Sequence, residues 1–344
     1  MTANKQSIVV LGAGSWGTAL AIQLMRHGGS VTLWGHNPDH MADIAAQKSN
    51  ERFLPGITLP EGLNIESDLE TAINGANDIL VVVPSHAFRS VLGDIQPLIK
   101  NTSRLIWATK GLEAGSGKLL HEVATEVFGE NLPMAVLSGP TFAREVAEGL
   151  PTAITVASQH AEFAHDMAGR FHSETFRAYT SNDVIGVEIG GAVKNVLAIA
   201  TGIADGLGFG ANTRAALITR GLAEIMRLGE AIGNNHNDPH GGHKETFMGL
   251  AGLGDLVLTC TDNQSRNRRF GLALGKGDNM EDALAHIDQV VEGVQTAREV
   301  FELAQREAVD MPITEQVYEV LYEGRPPKEA VHELLARAQK AELG

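Results

Sequence analysis

The chain has 344 residues, 43% hydrophobic and 20% charged, with a formal net charge of −15. That balance is globular, and its acidity argues against a non-specific binder of nucleic acid or anionic membrane. The single cysteine, Cys260, excludes an intrachain disulfide and fits a reducing compartment. The length points to two domains. The opening "MTANKQSIVVLGAG" lacks the basic start, apolar stretch and cleavage site of a signal peptide, and no apolar run reads as a bilayer span. The expectation is a cytoplasmic protein with no membrane insertion.

Residues 7–11 are a β-branched run ending in glycine, which signals a buried strand. Residues 15–27 carry helical periodicity and stop at Gly28-Gly29, and residues 30–34 form a second apolar strand. The first turn of this βαβ unit holds Gly12, Gly14 and Gly17 in the spacing G-x-G-x-x-G. One glycine makes the tight turn, one lets backbone approach a pyrophosphate, and one packs helix on strand. The phosphates then sit at the helix N-terminus. Alone the motif is weak, but here a strand precedes it, a helix follows and a second strand closes the unit. NAD-specific sites usually place an acid at the end of that second strand, on the ribose hydroxyls. This chain has "WGHNP", with His36 and Asn37. Nothing there repels a 2′-phosphate and His36 can donate to one, so the reading leans to NADP(H), with NAD(H) tolerated. The alternative for His36 is an exposed loop histidine.

Further apolar runs at 78–84, 104–111 and 133–140 end in Pro, Gly or polar residues, with helical segments between them. This alternation predicts a doubly wound, mostly parallel sheet. Ligands bind at the carboxyl ends of such strands, which here present Ser85, His86, Lys110, Gly139 and Thr141. Lys110 stands out, because its strand delivers it to the cofactor edge.

From about residue 183 helical patterns dominate, at 183–202, 212–232, 281–286, 293–308, 312–323 and 326–340. A boundary near residue 180 gives a dinucleotide-binding domain, 1–182, and an all-helical substrate domain, 183–344. Asn182 or Asp183 would cap the first of these helices. That helix, "EIGGAVKNVLAIATG", is built of small and apolar residues around Lys194. Its same-face neighbours Gly190, Gly191, Leu197 and Ala198 include no carboxylate. Either the lysine snorkels to water or a partner from outside the helix meets it. Gly190 and Gly191 would leave room for cofactor and substrate. "FMGLAGLGDLVLTC" packs three glycines before Asp255, a residue that is either a helix cap or that partner. "TDNQSRNRRFG" sets Arg266, Arg268 and Arg269 behind Ser265, an N-cap, in an otherwise acidic chain. A capped helix start with arginines suits a phosphate, while Arg268 and Arg269 also fit a solvated helix face. His236, His240 and His243 have metal-like spacing. Pro239 and Gly241-Gly242 break any helix there, so a flexible polar loop is expected and no metal site.

Ten motifs in order carry a resemblance across essentially the full length: "GAGSWGTALA", "NERFLPGI", "VVVPSHAFR", "ATKGLE", "SGPTFAREVA", "GAVKNVLAIATG", "NTRAALITRGL", "TFMGLAGLGDLVLTC", "SRNRRFG" and "VVEGVQTA". The chain resembles the bacterial NAD(P)-dependent sn-glycerol-3-phosphate dehydrogenases. The resemblance implies reduction of dihydroxyacetone phosphate to sn-glycerol 3-phosphate for phospholipid synthesis, by a homodimer. It implies that Lys194 is the catalytic lysine handling the proton at the C2 oxygen. Lys110 would touch both cofactor and substrate. Gly139, Thr141, Asp255, Ser265, Arg266 and Asn267 would contact substrate. Ser15, Trp16, His36, Ala143, Arg266, Val290 and Glu292 would contact the cofactor. Two features depart from the family: His36-Asn37 replaces a frequent arginine pair, and the histidine-rich loop is longer. A β-hydroxyacid dehydrogenase of the same plan and a non-catalytic NADP(H) sensor are the rival readings. The "SRNRR" cap favours a phosphate substrate over the first, and Lys194, Lys110 and Asp255 together favour catalysis over the second.

Overall fold

In the computed structural model, described for residues 7–235, 238–287 and 289–337, an eight-stranded sheet leads into a helical half. In chain order the strands are β1 (Ile8–Leu11), β2 (Val31–Trp34), β3 (Ser49–Asn50), β4 (Leu54–Thr58), β5 (Asn64–Glu66), β6 (Asp78–Val81), β7 (Arg104–Trp107), β8 (Met134–Ser138), β9 (Thr152–Ala157) and β10 (Phe176–Ser181). The sheet order is β10-β9-β8-β7-β6-β1-β2-β5, and β3 pairs with β4 in a separate hairpin. All sheet pairs are parallel except β8 with β9.

Both faces of the sheet are covered, as its apolar strands require. Ile8 and Val10 pack with Leu20 and Leu24 of the helix Ser15–Arg26 and with Phe163 and Phe171. Val9 and Leu11 point the other way, toward Phe88, Leu92, Leu120 and Val123. The expected strands are present, each shortened to its buried core. Five strands were not expected. β9 and β10 extend the sheet, so "RAYTSNDV", the stretch around the expected boundary near residue 180, holds the last strand up to Ser181. β5 and the β3–β4 hairpin fill the stretch after the second strand.

The helical half is organised around Val184–Gly206, here called the central helix. Asp183 caps it, accepting from Gly186 N at 2.6 Å. Val193 and Leu197 feed one apolar cluster and Val196, Ile199 and Ile203 another, so the helix is buried on all sides. It crosses the helix Arg266–Lys276 backbone to backbone; a Cβ on Gly202 would lie 2.2 Å from Arg268 O. Its length and composition meet the requirement for a bilayer span, contrary to expectation, yet the whole window is enclosed by the protein's own core.

The other expected helices are observed as Ala211–Asn235, Met280–Ala285, Glu292–Arg306, Pro312–Tyr322 and Pro327–Ala336. The end of the last expected helix, 338–340, lies outside the described residues. The sequence reading missed Lys244–Phe247 and gave no range for the helix at Asp255, which is observed as Asp255–Thr261. The part of the histidine-rich stretch around 240–243 is hydrogen-bonded to Asn182 and Asp183. Asp183 accepts from Gly242 N and His243 N at 2.8 and 2.9 Å, and His240 Nδ1 meets Asn182. His236 lies outside the described residues.

Candidate active site

The lysine on the central helix is buried, only 7% exposed, and its partner comes from outside the helix. Lys194 Nζ donates to Asp255 Oδ1 at 2.6 Å and to Thr259 Oγ1 at 3.0 Å. Lys110 Nζ reaches the other oxygen, Asp255 Oδ2, at 2.6 Å, and Gly139 O at 3.3 Å. One carboxylate, 1% exposed, is therefore shared by two lysines from different halves of the fold.

Local structure explains each placement. Lys110 lies three residues beyond β7, at the carboxyl edge of the sheet. Asp255 opens the helix Asp255–Thr261, after the π-helical turn Leu250–Gly254. Asp255 makes no cap on its own helix; its carboxylate is spent on the lysines. Gly190 and Gly191 lie where neighbouring segments approach the central helix closely. A Cβ on Gly190 would lie 2.5 Å from Ala251 O, and one on Gly191 would lie 2.9 Å from Ser138 Oγ and 3.7 Å from the Lys110 stem. They admit the turn before Asp255 and the Lys110 side chain, which brings the three charges together.

The electrostatics follow. Burial lowers the Lys194 pKa, and Lys110 lowers it further while Asp255 opposes; the outcome is about 8. Burial works to raise the Asp255 pKa, but Lys110 and Lys194 outweigh it and hold the carboxyl below its usual range. The site thus carries an ionised carboxylate and an ammonium poised to lose a proton near physiological pH.

Two residues beside this cluster escaped the sequence reading. Thr259 accepts from Lys194 and donates to Asp255 O at 2.6 Å. Its signal was the i,i+4 spacing from Asp255. Asn195, next to Lys194, is buried; its Oδ1 accepts from Asn267 Nδ2 at 2.9 Å, and its own Nδ2 has no partner. Asn267 Oδ1 in turn accepts from Gly293 N, at the start of Glu292–Arg306. This chain of amides connects the Ser265–Asn267 segment to the lysine helix. Ser265 caps Arg266–Lys276, accepting from Arg268 N at 3.2 Å. Arg266 Nη1 donates to Val290 O at 2.9 Å, so Arg266 and the Val290–Glu292 segment lie side by side. Arg268 is not on a solvated face: it is buried and paired with Asp205. Arg269 is exposed.

At the far edge, the glycine turn fits a pyrophosphate cradle. A Cβ on Gly12, where φ is +125°, would lie 2.3 Å from Val82 O, and one on Gly17 would lie 1.9 Å from Gly12 O. Above Gly14 there is open space, and no side chain caps the helix it starts. Backbone N–H groups therefore face the crevice at the strand ends, where an anion is welcome. Ser15 Oγ donates to Phe53 O at 2.6 Å, fastening the β3–β4 hairpin to this turn. Trp16 is half-buried, its Nε1 unpaired. His36 is exposed two residues beyond β2, and Trp34 O accepts from Gly12 N. Thr141 Oγ1 donates to Gly139 O at 3.1 Å, and Ala143 begins the next short helix.

Known proteins share this plan. The profile for the NAD-dependent glycerol-3-phosphate dehydrogenase N-terminus matches residues 7–164, and that for its C-terminus matches 183–332. A glycerol-3-phosphate dehydrogenase [NAD(P)+] of Vibrio parahaemolyticus is 58% identical, covering 98% of this chain and 95% of the relative. One from Photobacterium profundum is 56% identical over 98% of each. The crystal structure of glycerol-3-phosphate dehydrogenase from Coxiella burnetii superposes with a TM-score of 0.91 at 50% identity, covering 97% of this chain and 99% of that one. D-mandelate dehydrogenase, at 14% identity and a TM-score of 0.62, shares the fold alone. With both halves matched and relatives above half identity along nearly its whole length, the chain belongs to the NAD-dependent glycerol-3-phosphate dehydrogenase family.

Proposed function

We propose that this chain reduces dihydroxyacetone phosphate to sn-glycerol 3-phosphate, reversibly, with NADPH or NADH, and that Lys194 handles the proton at the C2 oxygen. The observation that carries the reading is the carboxylate of Asp255 held between two buried lysines, with the Lys194 pKa drawn down to about 8. A general acid works best when its pKa lies near the operating pH.

The dinucleotide, when bound, supplies the hydride for C2. The backbone of Gly12, Gly14 and Gly17 would hold its pyrophosphate, with Ser15, Trp16, His36, Lys110, Ala143, Arg266, Val290 and Glu292 as its remaining contacts. Lys194 donates to the carbonyl oxygen and gives up its proton as the alkoxide forms. Asp255 orients that ammonium, and Lys110 adds a second positive charge beside the developing oxyanion. Arg266 and Asn267 hold the phosphate with Ser265, whose O–H proton remains available although its oxygen accepts as a cap. Gly139 and Thr141 line the same pocket. The division into a dinucleotide domain, 1–182, and a substrate domain, 183–344, supports a site assembled between them. Family membership supports a cytoplasmic homodimer that supplies glycerophospholipid synthesis.

The test is oxidation of NADPH and NADH, side by side, with dihydroxyacetone phosphate. Turnover that disappears with unphosphorylated dihydroxyacetone supports both the reaction and the phosphate pocket. No turnover with either cofactor removes the proposal.

A further inference from the structure

We propose that Glu188 is a positioning residue for this reaction: its carboxylate fastens the strand that delivers Lys110 to the helix that carries Lys194. Glu188 is 5% exposed and lies in the first turns of the central helix, away from Asp255. Its Oε1 accepts from Trp107 Nε1 at 3.1 Å and from the backbone N–H of His121 at 3.0 Å. Its Oε2 meets His121 Nδ1 at 2.6 Å. Trp107, fully buried, is the last residue of β7, and His121 lies in the first turn of the helix Leu120–Phe128. One side chain from the helical half therefore ties down a strand and a helix of the sheet half.

The consequence for the site is geometric. Lys110 is three residues beyond Trp107, and Lys194 is six beyond Glu188, about 9 Å further along a rigid helix. The two lysines come together at Asp255, at one end of this arrangement. Glu188 with Trp107 forms the other end. If that lower junction slackens, the end of β7 is free to shift against the central helix, and the separation of Lys110 from Asp255 and Lys194 changes. The polar partners of Glu188 are Trp107 and His121, outside the Lys110–Asp255–Lys194 cluster, so its influence runs through the elements it joins. The bond to Trp107 needs an acceptor, not a charge, so a carboxamide at 188 would preserve it.

This inference rests on the active-site reading above, and the experiment separates the two. Trp107→Phe keeps a large aromatic but removes the indole donor, Glu188→Leu removes the acceptor, and Glu188→Gln retains it. Turnover is normalised to active sites by titration with NADPH. For Trp107→Phe and Glu188→Leu the expected result is kcat per site lowered about tenfold or more, with KM for dihydroxyacetone phosphate within about threefold of wild type. The alkaline fall of kcat should also move to higher pH, because Lys110 no longer competes as closely for Asp255. Glu188→Gln should stay within about threefold of wild type in kcat, rescuing the defect. Wild-type kcat per site and an unchanged pH profile in Trp107→Phe would overturn the inference, even if Glu188→Leu does not fold. Wild-type protein inert toward dihydroxyacetone phosphate, or full activity without Lys194, would instead overturn the active-site reading.

Discussion

Replacing Lys194 with methionine separates catalysis from stability. Methionine matches the lysine stem in length and apolarity but carries no proton. Burial lowers the Lys194 pKa from 10.5 to about 8 against the pull of Asp255. A shift of that size disfavours the charged form in the fold by roughly 3 kcal/mol. The substitution removes that cost, while Asp255 keeps Lys110 at 2.6 Å as a cation partner. The variant should therefore melt no lower than wild type and bind NADPH normally. It should also lose a pH dependence. In the wild type the unfolded lysine holds its proton between pH 8 and 10.5 while the folded one has released it, so this group makes stability rise with pH across that window. The methionine variant should lack that rise. Activity behaves differently. At pH 7 a group with a pKa of about 8 is about nine-tenths protonated and ready to act as an acid. Its removal should lower kcat for reduction by roughly a hundred- to ten-thousandfold. The assay is the loss of dihydronicotinamide absorbance under saturating substrate, alongside thermal melts across pH. A kcat loss below about tenfold, with cofactor affinity intact, would refute the assignment of Lys194 as the acid.

Asp255→Asn leaves two buried lysines facing an amide; breaking a buried pair in this way should cost about 3–5 kcal/mol in stability, read by denaturant titration. Whatever activity survives should fall off at lower pH than in wild type, because Lys194 loses the carboxylate that holds its proton. Arg266→Ala should raise KM for dihydroxyacetone phosphate about ten- to a hundredfold, the worth of one charged hydrogen bond, and an unchanged KM would count against phosphate binding there. Glu224 is buried where it accepts from Ile313 N and Thr314 N, and burial lifts its pKa from 4.5 to about 7. The folded state then holds a proton that the unfolded state has lost, so stability should fall as pH rises from 4.5 through about 7. Glu224→Gln should flatten that part of the curve, and an unchanged slope would show that the group titrates normally.

Local signals located most of the elements but not the edges of the sheet. β1, β2, β6, β7 and β8 are mostly apolar because both their faces are covered, and such runs are visible in any window of sequence. β10 buries only Phe176 and exposes Arg177, Tyr179 and Thr180 at the rim, and β5 is three residues long. Their strand character comes from the neighbour they pair with, not from their own composition. The helical half was easier, since periodicity and caps such as Asp183 and Ser265 act within a few residues. Short helices beside glycines, such as Asp255–Thr261, carried too few turns to show a period.

By itself the sequence showed a glycine-rich turn inside a βαβ unit, a lysine amid small and apolar residues, and an arginine-rich helix start capped by Ser265, because each is written in a short local pattern. It also posed the question of what neutralises Lys194, with Asp255 open between a helix cap and that partner. Tertiary structure decided that Asp255, 61 residues from Lys194 and 145 from Lys110, serves both lysines at once. It decided too that Gly190 and Gly191 make room for that meeting, that Arg268 is a buried structural partner of Asp205, and that Glu188 reaches back to Trp107. Hydrogen bonds and ion pairs act over a few ångströms in space, and the chain brings distant residues within that range only once the sheet and the central helix have packed.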